Sequence, residues 1–158
     1  MNCIRYKNNI LLFNLEGPLV ESETNLVPLN PYKYNLFTET LSLTALKKNK
    51  LVVSLANNHI NDFKEGLKNT IKNLEKHKID YFGLSNNRYL ELEIENNKCL
   101  VFGYNSKLTL PSSSKNISSI SKTNFNDIRK ARKNSPNSII IVFGHFGFEL
   151  SKYPMPAD

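Results

Sequence analysis

The chain has 158 residues, 40% of them hydrophobic, and a formal net charge of +7. That length and apolar content suit a single domain with a substantial core. No segment approaches the roughly 18 consecutive apolar residues of a membrane-spanning helix, and the run after Arg5 and Lys7 is too short for a secretory signal.

A first strand is expected over 10–15, ending at Glu16 and a Gly17-Pro18 turn. A long loop over 17–34 follows, punctuated by Pro18, Pro28 and Pro31, and then a helix over 36–48. The apolar residues from Leu51 onward predict a strand over 51–55. The clearest helix spans 62–77, with Leu67, Thr70, Ile71 and Leu74 on one face. Asp62 near its start reads as its cap, a supporting role toward His59 being the alternative. His77, at its end, reads as a surface residue favoured by the helix dipole. A short strand over 80–82 precedes two β-rich runs, 89–95 and 98–104, joined by a hairpin turn at Asn96-Asn97. The Ser- and Lys-rich stretch 105–123, with Pro111, reads as a surface loop. A helix over 124–134 and a strand over 138–144 complete the pattern, with no internal repeat.

The chemistry is concentrated where apolar strands end. The stretch Ser54-Leu55-Ala56-Asn57-Asn58-His59 runs from a strand into two amides and an imidazole, at the strand terminus where α/β proteins place their sites. An amide oxygen suits a hard cation, and an imidazole suits proton transfer. The plainer alternative is that the amides cap the next helix and the histidine lies at the surface. Glu16 ends the first strand, and His145 ends the last, between Gly144 and Phe146-Gly147. If these strands are buried parallel neighbours in one sheet, Glu16, Asn58 and His145 meet in one crevice. Carboxylate, amide and imidazole form a ligand set for Mn, Mg, Fe or Zn.

With these motifs the sequence resembles the bacterial capsule synthesis CapA-type family, which is similar to the calcineurin-like metallophosphoesterases. The resemblance rests on Asn14-Leu15-Glu16-Gly17-Pro18, Leu55-Ala56-Asn57-Asn58-His59, Asp62, Gly66-Leu67, Thr70, Leu74 and Gly83. Gly144-His145-Phe146-Gly147-Phe148-Glu149, then Pro154 and Pro156, continue it in the same order. It implies an α/β fold, a partial calcineurin-like layered sandwich. It also implies a role in synthesis of a capsule or envelope polymer, poly-gamma-glutamate or polysaccharide, with that polymer or other synthesis components as partners. A non-catalytic scaffold or polymer-binding component is the alternative.

On the same resemblance, Glu16 matches the carboxylate that bridges two metals, and Asn58 and His145 match metal ligands. His59 matches the neighbouring histidine that assists the leaving group or developing charge without ligating. Asn57 stands where the related enzymes carry Gly, and Asn57 and Asp62 are expected to support the site residues. Family members also have a preceding strand ending Gly-Asp and a later Gly-His-His-Pro-His-type segment. Neither motif occurs here, so the sequence reads as an internal portion of a member, with weak or no metal binding and no phosphoesterase activity expected of this chain alone. Location is left open between cytoplasm and an envelope attachment through an N-terminal segment.

Two other features carry less. Cys3 and Cys99 lack metal-type spacing and read as unpaired thiols of a reducing compartment. The net charge raises the possibility of a metal-dependent nuclease, but Lys64, Lys68, Lys72 and Lys76 recur every fourth residue. That spacing reads as one solvated helix face, without interleaved aromatics, and a nucleic-acid partner is not expected.

Overall fold

The computed structural model describes residues 10–22, 26–31, 34–46, 49–106, 115–120 and 122–146, the side chains of 44 and 122–124 excepted. Cys3, Pro111, Pro154, Pro156 and the 147–149 end of the last motif lie outside the described residues. The fold is α/β. Its residues divide into two compact units, one drawn from Met1–Val53 and His59–Tyr81, the other from Ser54–Asn58 and Phe82–Asp158.

In the first unit, β1 (Ile10–Asn14), β4 (Lys50–Ser54) and β5 (Asp80–Phe82) form a sheet in the order β1-β4-β5, the last residues of β4 and β5 being counted with the second unit. The central position explains the unbroken apolar run of β4: a strand covered on both faces has no solvent side to mark with polar residues. Leu51, Val52 and Val53 are accordingly buried. Two short strands, β2 (Leu19–Val20) and β3 (Thr38–Glu39), pair in parallel, and the one-turn helix α1 (Thr40–Thr44) follows directly. The tight start of β2 depends on Gly17, whose φ of +79° is open to glycine at little cost and where a Cβ would collide with the Leu36 carbonyl.

Helix α2 (Gly66–Lys76) holds β2 through polar side chains. The Leu19 N–H donates to Thr70 Oγ1 at 2.8 Å, and Asn73 Nδ2 donates to the Leu19 carbonyl at 2.9 Å. Thr70 in turn donates its hydroxyl to the Gly66 carbonyl at 2.8 Å, so both capacities of that buried hydroxyl are used. This clamp turns the helix. Its buried residues are Gly66, Thr70, Asn73 and Leu74, whereas Leu67 and Ile71, expected on the core face, are only partly buried. Lys64, Lys68, Lys72 and Lys76 are all exposed. Lys68 pairs with Glu65 at 2.8 Å and Lys76 with Glu21. The hydrogen bond from Lys76 holds the Glu21 carboxyl below its usual range.

In the second unit, β6 (Tyr89–Ile94), β7 (Asn97–Asn105) and β8 (Ile139–His145) form a sheet in the order β6-β7-β8. β6 and β7 are antiparallel, with Ile94 opposite Asn97, and β7 and β8 are parallel, with Asn105 opposite His145. Helix α3 (Lys122–Asn134) supplies the crossover between the parallel pair. Its Ile128 and Ala131 pack on Leu100, Phe102 and Tyr104, alternate residues on one face of β7. On that face the rings of Tyr89, Phe102 and Tyr104 stack in sequence, with centroids 4.9 and 6.2 Å apart.

Several expectations need correction. The strands leading to Glu16 and His145 do not share a sheet: β1 belongs to the β1-β4-β5 sheet and β8 to the β6-β7-β8 sheet. Nor are all three buried, since β1 is half-buried throughout and β8 leaves Ile139 and Val142 exposed. The hairpin turn lies one residue earlier than expected, at Glu95-Asn96, both with positive φ as a two-residue primed turn requires. The loop expected over 17–34 contains β2, and the helix expected over 36–48 contains β3 before its single turn. Asp62 does not cap α2, whose N-cap is Glu65 without a side-chain cap bond. Among the described residues, no helix is long and apolar enough to cross a membrane.

Two outcomes follow. Thr70→Val should destabilise the chain by about 1–3 kcal/mol in urea unfolding, because the Leu19 N–H stays buried without an acceptor. Thr70→Ser, which keeps the oxygen, should cost clearly less. Separately, burial first, and then the Asp127 charge, push the Tyr104 phenol up to about 12. The neutral phenol is thus favoured by folding: its contribution is complete below the ordinary value of 10 and is lost as pH rises toward 12. Stability should fall more steeply across that window in the native chain than in Tyr104→Phe.

Candidate functional site

The segment after β4 is built from a buried backbone. Ser54, Leu55, Ala56 and Asn57 are all essentially inaccessible. The Ala56 N–H donates to Ser54 Oγ at 3.3 Å, the Asn57 N–H to the Leu55 carbonyl at 2.9 Å, and the Leu55 N–H to the Phe82 carbonyl at 2.8 Å. Gly83, at φ +96°, lies so close that a Cβ there would come within 2.8 Å of the Ala56 nitrogen. A Cβ on Gly103 of β7 would meet the Phe82 ring at 2.8 Å and Gly83 Cα at 2.9 Å. These approaches fix the backbone from which Asn57 and Asn58 project.

Asn58 and His145 come together. His145 Nε2 lies 2.8 Å from Asn58 Oδ1, joining residues 87 apart in sequence. With the amide oxygen as acceptor, the ring nitrogen carries the proton. The His145 backbone is held as well, its carbonyl accepting from the Ser106 N–H at 3.0 Å. Once that proton is released, an amide oxygen and an imidazole nitrogen at this separation suit two ligands of one hard or borderline cation. Among the described residues, no group of three or more His, Cys, Asp and Glu is placed to hold a metal. The pair therefore fits a cation as part of its shell, without completing that shell.

His59 is 9% exposed, and its ring turns to Asp62. Nδ1 lies 2.6 Å from Asp62 Oδ2, and the same oxygen accepts the Leu36 N–H at 2.9 Å. The carboxylate is thus fixed by the backbone at 36 before it orients the imidazole. A proton held on Nδ1 makes Nε2 the basic nitrogen of the neutral ring. Asp62 is the residue that sets this tautomer.

Glu16 belongs to the first unit, half-buried after β1, and its carboxylate accepts from Asn14 Nδ2. Its carbonyl accepts from Thr38 Oγ1 at 3.5 Å. Asn57 and Asn58 belong to the second unit with His145, and His59 and Asp62 to the first. One neighbour was missed from sequence: Asn105, fully buried and opposite His145 in register. Its signal was present, because the apolar run of β7 ends in Asn105-Ser106 as the other site strands end in polar residues.

The Asp62 arrangement is testable by nitrogen NMR of the histidine rings. In the native chain, neutral His59 should carry its proton on Nδ1. In Asp62→Ala the preference for Nδ1 should be lost. That variant should also lose about 1–3 kcal/mol, since the Leu36 N–H loses its acceptor.

The matched sequence supports a family assignment. The profile of the bacterial capsule synthesis protein PGA_cap matches residues 3–158. Among curated proteins, no match to the chain is found. The match takes in β1, the segment after β4, the α2 clamp and the strand carrying His145, in one continuous span. On that span the chain belongs to the bacterial capsule synthesis PGA_cap family, of CapA type and metallophosphoesterase-like.

Proposed function

We propose that the chain serves the synthesis of a capsule or envelope polymer, poly-gamma-glutamate or polysaccharide, through a phosphoesterase-like site. The observation that carries this reading is the 2.8 Å approach of His145 Nε2 to Asn58 Oδ1. Two donors of the type that hold a divalent cation are brought together from distant parts of the sequence. Asn58 and His145 would hold Mn, Mg, Fe or Zn; for Glu16 a carboxylate role is assigned by the family resemblance alone. Such a cation would supply positive charge toward a phosphoryl oxygen and acidify bound water.

The chain's own residues supply the rest. His59 is a proton-handling group rather than a ligand, its Nδ1 proton committed to Asp62 and its Nε2 the nitrogen that exchanges protons. Asp62, anchored by the Leu36 N–H, keeps the ring from rotating. Asn57 is fully buried beside Asn58 and would support it from within the core. A non-catalytic scaffold or polymer-binding role is the second reading.

Titration with Mn2+ or Zn2+, read by calorimetry and by thermal stability, tests the site. The cation should raise the melting temperature, because it binds the native form. Asn58→Ala and His145→Ala should each weaken binding by at least about 10–100-fold, the loss typical even of outer-shell partners. Cation binding unchanged in both variants would remove this pair from the site. A chromogenic phosphodiester separates the two readings: turnover abolished in Glu16→Gln supports hydrolysis, and cation binding without turnover supports the scaffold.

A further inference from the structure

The second unit carries a cleft of about 350 Å³ that none of the candidate site residues above lines. One wall is the turn before β6 and the start of that strand. The other is a face of α3 presenting Asp127, Lys130, Ala131 and Asn134, spaced as one side of a helix. The volume lies at the small end of the range of about 300–1,000 Å³ for small-molecule clefts.

The lining has a definite chemistry. Tyr89 stacks on the buried ring of Phe102 and remains 42% exposed. It therefore offers a flat apolar platform whose orientation is set from beneath. Arg88 is held at two points, donating from Nε to the Ser85 carbonyl at 3.1 Å and from the guanidinium to Asp127. The Arg88–Asp127 pair presents fixed donors beside fixed acceptors. Asn86 and Asn134 add amides, each able to donate and accept.

We propose that this cleft binds a neutral saccharide unit, with the apolar face of the sugar ring on Tyr89 and its hydroxyls on Arg88, Asp127 and the two asparagines. A sugar ring has one face of C–H groups and a rim of hydroxyls that both donate and accept, which is the complement of this lining. A polyanion is the poorer fit. Arg88 is already neutralised by Asp127, and the cleft's ionic side chains, Arg88, Lys130 and Asp127, sum to a single positive charge. The inference stands on the cleft alone and does not depend on Asn58 or His145.

The test is a titration of the isotope-labelled 158-residue chain with neutral hexose and N-acetylhexosamine oligosaccharides and, separately, oligo-gamma-glutamate, followed by amide NMR shifts. At least one neutral oligosaccharide should give saturable shifts confined to residues 85–89 and 127–134, unchanged by added salt. Tyr89→Ala should weaken that binding about tenfold or more, as loss of an aromatic anchor does. Asn134→Ala, at an exposed helix position, should weaken it while leaving the spectrum otherwise native. The proposal is overturned if no neutral saccharide gives saturable shifts, if the shifts fall elsewhere, or if Asn134→Ala binds as the native chain does. Binding of oligo-gamma-glutamate alone, reversed by salt, overturns it equally and makes the cleft a polyanion site. Cation binding at Asn58 and His145 is read separately, so either proposal can fail without the other.

Discussion

The missing side chain at position 83 is the constraint on which the second unit depends. Gly83 follows β5 at a positive φ, with its α-carbon against the backbone at Ala56 on one side and at Gly103 on another. Its carbonyl accepts the Ser118 N–H at 2.9 Å, and its N–H donates to the Asn87 carbonyl at 2.9 Å. Three stretches distant in sequence, at Ala56, Gly103 and Ser118, are thus gathered around one residue that fills no volume beyond its backbone. Any Cβ there would have to displace backbone rather than the end of a flexible side chain. The loop bearing Asn58 would move with it.

The first unit solves a similar problem by different means. There a two-residue strand is too short to be held by ladder bonds alone, and α2 supplies Thr70 and Asn73 to its backbone. Polar residues on the buried face of a helix are normally a cost. Here each finds a backbone partner, and that satisfaction specifies a single seating of the helix. The same economy of parts appears at Asp62, where one oxygen joins a backbone amide to an imidazole ring.

How much of this was legible in the sequence follows from how local each signal is. β4, α2, β5 and the β6–β7 hairpin were readable because apolar runs, helical spacing and turn residues are neighbours along the chain. The short strands β2 and β3 were not: two residues give no periodicity, and Pro18 and Pro28 pointed to a loop. The buried face of α2 was misread because Asn73 looks like a solvent residue until Leu19 is placed opposite it. Apolar content placed β1 and β8 in one sheet with β4, but sheet membership is decided by long-range pairing. At the site, the polar ends of strands drew attention to Asn58 and His145, whereas the Leu36 N–H that fixes Asp62 carries no side-chain signature.

The chain passes between its two units three times, after residues 53, 58 and 81. No single cleavage separates them, and neither unit is a continuous segment that could be excised whole. This bears on the order of assembly. The β6–β7 hairpin closes over two residues and can form within microseconds. The pairing of β1 with β4 must first close a loop across some thirty-five residues, at an entropic cost that grows with the logarithm of its length. During synthesis the ribosome releases β1 well before β4 and, of the described strands, β8 last, so His145 reaches Asn58 only when nearly all of the described chain has left the tunnel.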